Sequence, residues 1–266
     1  MTKQFDRRTT GYVESDGEDI YFEATGEGPT VVLCHGLGGN HAIWWQQVEA
    51  LAAGHRLVTW DQRGFGNSSA RSGEIGPPAA RRDLSALLDH LQADQVSLIG
   101  QSMGGWAALG YAHTHPARVR ALILSTTLAG ASPANVDRLV RAEPDRDRMN
   151  RREHPVLSAD FCRQHPDLGV LYNQISSFGS RPDPATVLRA MADDRLDLLD
   201  LEQLAVPTLV LMASDDNLCP PTAMSGLVWR LPRAKLKVIP GSHSVYYEQP
   251  PIWNEAVLAF LRETEG

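Results

Sequence analysis

The sequence predicts an α/β fold: a mostly parallel central sheet with helices on both faces and an inserted helical segment. Two patterns predict the sheet and a third the insert. Short apolar runs alternate with helix-periodic stretches from about residue 19 to residue 124, and the alternation resumes over 208–263. Such alternation implies βαβ units and a parallel sheet buried on both faces. Between the two blocks, residues 128–200 contain no strand as strong as those around them.

Residues 19–24 and 30–34 read as the first strands, the second running Thr30-Val31-Val32-Leu33-Cys34 into the turn His35-Gly36-Leu37-Gly38-Gly39. A helix over 41–53 follows, carrying Ile43, Trp44, Val48 and Leu51. The strand 55–60 closes on Asp61-Gln62-Arg63-Gly64-Phe65-Gly66. After Pro77-Pro78, Leu84, Leu87, Leu88 and Leu91 fall at i, i+3, i+4, i+7, the stripe of a core-facing helix. Strand 95–100, helix 103–114 and strand 119–124 complete the first block. In the second block 208–212 is a strand, 221–231 a helix, 236–239 a strand and 252–263 the last helix. The boundaries follow: residues 1–127 and 201–266 form the core domain, and 128–200 a helical cap. In its later part Leu168, Leu171, Tyr172 and Ile175 share one helical face.

Composition restricts the function. The 266 residues are 42% hydrophobic and 21% charged, which excludes a disordered chain. A formal charge of -7 opposes sequence-independent nucleic-acid binding, which needs basic surface to neutralise phosphates. Arginines 138, 141, 146, 148, 151 and 152 form a local exception, but interleaved acids nearly cancel them, as on a solvated helix face. Cys34, Cys162 and Cys219 are too few and too scattered for a disulfide framework or a zinc pattern. No apolar run approaches the ~20 residues of a membrane span, and no apolar stretch follows the charged N-terminus. The expectation is a cytoplasmic protein with no membrane partner, no nucleic-acid partner, no metal and no cofactor. Apolar cap residues would serve a pocket roof or a homodimer contact.

The chemistry centres on Gly100-Gln101-Ser102-Met103-Gly104. A G-x-S-x-G run at a strand-to-helix junction puts its serine on a sharp turn above the sheet. A serine hydroxyl needs a positioned base. Of nine histidines, His243 in Gly241-Ser242-His243-Ser244 follows the last strand, and so lies at the sheet edge that Ser102 occupies. His35 is the main competitor, with a structural role expected. A carboxylate should hold the imidazole, and Asp216 follows a strand at the same edge, with Asp215 as its rival. The order Ser102, Asp216, His243 suits a nucleophile elbow. For the oxyanion, the backbone N–H groups of Met103 and Leu37 are the candidate donors.

These residues resemble the α/β-hydrolase superfamily in its small capped form, over about residues 18–263. The matching motifs are His35-Gly36 with Trp44 downstream, Asp61-Gln62-Arg63-Gly64-Phe65-Gly66-Asn67-Ser68, the elbow at Ser102, Val206-Pro207-Thr208, and Asp216 four residues before Pro220. His243 stands five residues before Glu248, with Pro250 beyond. The alignment through Pro220 selects Asp216 over Asp215. The chain departs from the family at Ala213 and Ser242, where glycine is frequent.

The resemblance implies a serine hydrolase that cleaves a carboxylic ester or lactone through an acyl-enzyme, with the small-molecule substrate and water as its partners. Carbon–carbon cleavage of meta-cleavage products and a slow-turnover receptor of the same fold are the alternatives; Gln101 where the C–C enzymes often carry Asn weakens the first. Ser102 excludes halide displacement and epoxide hydrolysis, which need Asp there. Trp106, Tyr172, Phe178 and Val245 are candidate pocket residues, with Phe161, Leu171, Ile175 and Tyr246 around them.

Overall fold

The computed structural model describes residues 8–131, 137–138, 154–196 and 198–266. Eight strands form one sheet: β1 (Arg8–Ser15), β2 (Glu18–Thr25), β3 (Thr30–Cys34), β4 (Arg56–Trp60), β5 (Val96–Gln101), β6 (Val119–Ser125), β7 (Thr208–Ala213) and β8 (Ala234–Ile239). Their spatial order is β1-β2-β4-β3-β5-β6-β7-β8. β1 and β2 form an antiparallel hairpin and β2 pairs antiparallel with β4; every other neighbour is parallel. All the parallel strands therefore end at one edge.

Strand periodicity divides the apolar residues between two cores. Val32, Cys34, Leu98, Leu122, Leu124, Val210 and Met212 point to one face. Val31, Leu33, Ile99, Ala121, Ile123, Leu209 and Leu211 point to the other. On the first face lie α2 (Pro77–His90) and α3 (Gly104–Thr114); α1 (Trp45–Ala52) and α10 (Pro250–Glu265) cover the second. Residues 104–112 of α3 are all buried, which fits its continuous apolar and small-residue composition.

Among the described residues between β6 and β7 are the helices α4 (Ala159–Gln164), α5 (Pro166–Ser177), α6 (Pro184–Asp193) and α7 (Leu198–Leu201). They divide between the two cores. Leu157, Phe161 and Tyr172 join the second; Val187, Met191 and Leu201 join the first. The remaining elements are α8 (Pro221–Arg230) and the short α9 (Val245–Glu248). No helix among the described residues is long and apolar enough to cross a membrane.

Some elements differ from expectation. β1 is absent from the sequence reading. Five of its eight residues are exposed and only Val13 and Ser15 are buried, so it carries almost no apolar alternation. The helix expected over 41–53 begins as a 3-10 turn, His41–Trp44, capped by Asn40, whose Oδ1 accepts from Ala42 N at 3.0 Å. Leu171 does not share the buried face of Tyr172: it is exposed, one position off the stripe. Arginines 141, 146, 148, 151 and 152 lie outside the described residues. Arg138 is exposed and donates to Leu218 O at 3.3 Å.

Candidate active site

The turn between β5 and α3 places Ser102 at φ 50°, in the left-handed region. A side chain there costs about 1–3 kcal/mol, so neighbouring contacts must impose it. Ser102 N donates to Ser125 O at 3.1 Å, and Ser102 O accepts from Thr127 Oγ1 at 2.6 Å and Gly105 N at 2.9 Å. Close approach requires glycine at Gly104 and Gly36. A Cβ on Gly104 would overlap the Cys34 carbonyl oxygen, and one on Gly36 would overlap Gln101 Oε1 and crowd the Ser102 Cβ.

Asp216 follows β7 and His243 follows β8, so both share the Ser102 edge. His243 Nδ1 lies 2.9 Å from Asp216 Oδ2 and 3.1 Å from Oδ1. Asp216 Oδ1 also accepts from Leu218 N at 2.8 Å and Cys219 N at 2.9 Å. Both side chains are buried. Burial opposes the charged imidazole, but the adjacent carboxylate outweighs it and pushes His243 up to about 10. For Asp216 burial acts upward, while His243 and the two N–H donors bring its pKa below the ordinary carboxylate value. No hydrogen bond joins Ser102 Oγ to His243 among the described residues; such contacts often tighten only when substrate binds.

The competitors take other roles. Asp215 is exposed and accepts from Ser214 Oγ at 2.7 Å. His35 is fully buried. Its Nδ1 contacts Gly36 O at 2.8 Å and its Nε2 accepts from Gln62 N at 3.0 Å, so both ring nitrogens brace the turn. Burial lowers its pKa, consistent with a neutral structural imidazole. His41 Nδ1 lies 2.8 Å from Asp61 Oδ1, and Asn67 N donates to Asp61 Oδ2 at 2.8 Å. This buried carboxylate thus ties the Gly36–His41 loop to the loop after β4.

Neither Leu37 N nor Met103 N has an acceptor within the protein among the described residues. Trp106 is buried and donates from Nε1 to Met191 O at 3.1 Å, joining α3 to α6. Tyr172 OH lies 3.1 Å from Ser244 Oγ and 3.4 Å from Tyr246 OH. Val245 is fully buried in the second core, whereas Phe178 is 64% exposed.

One group of contacts was not visible in the sequence. Glu248, in α9, accepts from Ser158 N at 2.5 Å and Ser242 Oγ at 2.6 Å through Oε1, and from Ser242 N at 3.0 Å through Oε2. Val156 O accepts from Ser244 N at 3.0 Å and Ser242 Oγ at 3.1 Å. These bonds fasten the loop on both sides of His243 to residues 156–158. On the opposite side of the turn, Asn40 Nδ2 donates to Ile175 O in α5 at 2.8 Å.

This fold, with an elbow serine and an Asp–His pair at one sheet edge, has recognisable relatives. A profile described as the alpha/beta hydrolase fold matches residues 29–153. A Variovorax paradoxus protein carrying the name carbamate hydrolase RutD is 31% identical over 256 residues, covering 91% of this chain and 96% of its own. An esterase from Thermogutta terrifontis superposes with a TM-score of 0.80 at 28% identity, over 98% of this chain and all of its own. An N-acyl homoserine lactone degrading enzyme gives a TM-score of 0.78 at 25% identity, over 94% and 99% of the two chains. The chain belongs to the α/β-hydrolase family and is a hydrolase of that fold.

Proposed function

We propose that the chain hydrolyses a carboxylic ester or lactone through Ser102, His243 and Asp216. The observation that carries this reading is the strained elbow of Ser102 beside a buried His243–Asp216 pair at the same strand ends. His243 takes the proton as Ser102 Oγ attacks the carbonyl carbon. The N–H groups of Leu37 and Met103 receive the oxyanion. Collapse breaks the C–O bond, and His243 returns the proton to the departing alkoxide. Water, deprotonated by His243, then attacks the acyl-enzyme; collapse releases the acid and restores Ser102. Asp216 holds the tautomer and stabilises the imidazolium.

The 128–200 segment is read as a cap over this edge, a role supported by the contacts of Tyr172 to Ser244 and of Trp106 to Met191. Trp106, Tyr172 and Val245 are its proposed pocket-side anchors. Phe178 would reach a substrate only at the rim. The relative named for carbamate hydrolysis supports a second reading, a carbamate carbonyl attacked by the same serine.

Short-chain p-nitrophenyl esters, a lactone panel and an aryl carbamate, each with wild type and Ser102→Ala, form the test. Turnover by wild type should fall at least about 10³-fold in the variant, and a fluorophosphonate should label Ser102. Equal rates in the two proteins overturn the mechanism. Labelling without turnover of any panel member would instead identify a receptor.

A further inference from the structure

The sheet edge that carries Asp216 and His243 also carries a thiol that acyl transfer does not use. Cys219 ends the loop after β7, three residues beyond Asp216, and is buried. Its own N–H donates to Asp216 Oδ1 at 2.9 Å, which fixes the cysteine against the carboxylate. Cys219 Sγ, a carboxylate oxygen of Asp216 and a ring nitrogen of His243 all lie within 4.8 Å of one another.

Thiolate, imidazole and carboxylate are the donors that zinc takes in tetrahedral sites. Bonds of about 2.3 Å to sulfur and about 2.0 Å to nitrogen or oxygen put ligand atoms roughly 3.5 Å apart. The three atoms therefore need to shift by little more than about an ångström to share one ion at these bond lengths. Charge also balances. One thiolate and one carboxylate neutralise a dication, so the occupied site carries no net charge into a buried region, where an uncompensated charge would be costly.

We infer that a thiophilic divalent cation of the zinc class binds Asp216, Cys219 and His243 and thereby arrests the enzyme. Binding exchanges the thiol proton, released to water, for a metal–sulfur bond. It also replaces the Asp216–His243 hydrogen bond with metal bonds to both side chains; the proton on the ligating ring nitrogen goes to water from a charged ring, or to the other ring nitrogen of a neutral one, so no free nitrogen remains to act as base in acyl transfer. The arrest rests on the catalytic reading proposed above; the binding does not.

Direct binding is tested with Co²⁺ added to the full-length protein, followed by absorption spectroscopy. The expected result is a saturable 1:1 thiolate-to-cobalt charge-transfer band, displaced by Zn²⁺, present in Ser102→Ala and Cys162→Ser and absent from Cys219→Ser and Cys219→Ala. Loss of affinity should be at least about tenfold, since even an outer partner of a bound metal is worth that much. Near-UV circular dichroism checks that the cysteine variants keep the fold, and Asp216→Asn, which retains the thiol, should also weaken binding. In the ester assay, Zn²⁺ should inhibit wild type reversibly with EDTA, and Cys219→Ser should need about tenfold more Zn²⁺ for the same inhibition. No charge-transfer band in wild type, or a band unchanged in Cys219→Ser, overturns the site. A band with the expected ligand dependence but no effect on turnover overturns the arrest alone. Absence of any turnover would count against the proposed function and leave the cobalt spectrum to decide the metal site.

Discussion

In the proposed mechanism His243 must be neutral to accept the Ser102 proton, yet the Asp216 carboxylate favours its charged form and pushes it up to about 10. The sign is definite. As pH falls below the raised pKa the base is lost, so the acid limb of kcat/KM should lie on the alkaline side of an ordinary histidine titration. Asp216→Asn removes the charge that raises it. The limb should then move to lower pH while the maximal rate drops by about 10³–10⁴. A pH–rate profile of both proteins checks this, and superimposable limbs would refute it. Asp215→Asn should leave both limb and rate nearly unchanged, because that carboxylate is exposed and pairs only with Ser214 Oγ among the described residues. Thr127 belongs to the same scale. Its hydroxyl donates to Ser102 O at 2.6 Å and accepts from Ala129 N at 3.1 Å. Thr127→Val keeps the shape, orphans the buried Ala129 N–H and leaves Ser102 O with Gly105 N alone, so urea unfolding should show a loss of about 1–3 kcal/mol. kcat should fall further than KM changes, because the elbow loses one of the bonds that hold the proposed nucleophile.

Among the elements, the loop after β8 owes its shape to partners distant in sequence. Glu248 accepts three bonds from donors of Ser158 and Ser242. Glu248→Gln would turn an amide N–H₂ toward at least one of those donors, so a stability loss of about 1–3 kcal/mol is expected in urea titrations. Ser242→Ala loses one hydroxyl and should cost about 1 kcal/mol; a neutral result at both positions would show that the loop is held elsewhere. This network also marks the limit of the sequence reading. The strand-end positions of Ser102, Asp216 and His243, the proposed nucleophile, acid and base, were legible because each lies in a local motif placed by the strand before it. Ser242 looked like a mild departure from the family, since its bonds to Val156 and Glu248 require the 154–158 segment to be folded back over the loop. β1 was illegible for another reason. An edge strand with one mostly exposed face needs no apolar alternation, and its pairing with β2, from Arg8 opposite Thr25 to Ser15 opposite Glu18, supplies the order instead. Phe178 is the least enclosed of the proposed pocket residues: it follows the C-terminus of α5 and is exposed, a placement that aromatic character alone does not reveal.

Across the whole molecule, the segment between β6 and β7 cannot be separated from the sheet without opening both cores. Leu157, Phe161 and Tyr172 pack in the cluster that contains Trp44 and Trp253, while Val187 and Met191 pack in the one that contains Trp106. Polar ties reinforce this. Arg81 in α2 pairs with Asp194 just beyond α6 through two contacts of 2.7 Å, and Trp106 Nε1 is bonded to Met191 O. A segment that contributes to two cores gains its stability from them, so residues 128–200 should not unfold as an independent domain. Equilibrium unfolding in urea should therefore give one transition, with the same midpoint by tryptophan fluorescence and by far-UV circular dichroism. The fluorescence change reports chiefly on Trp44, Trp60, Trp106 and Trp253, which are all buried. Arg81→Ala should lower that common midpoint without splitting it, because the broken pair bridges core and insert and leaves Asp194, a half-buried carboxylate, without its guanidinium. Two separated transitions, or a fluorescence midpoint that moves while the circular dichroism midpoint stays, would mean that the insert is a domain with a core of its own.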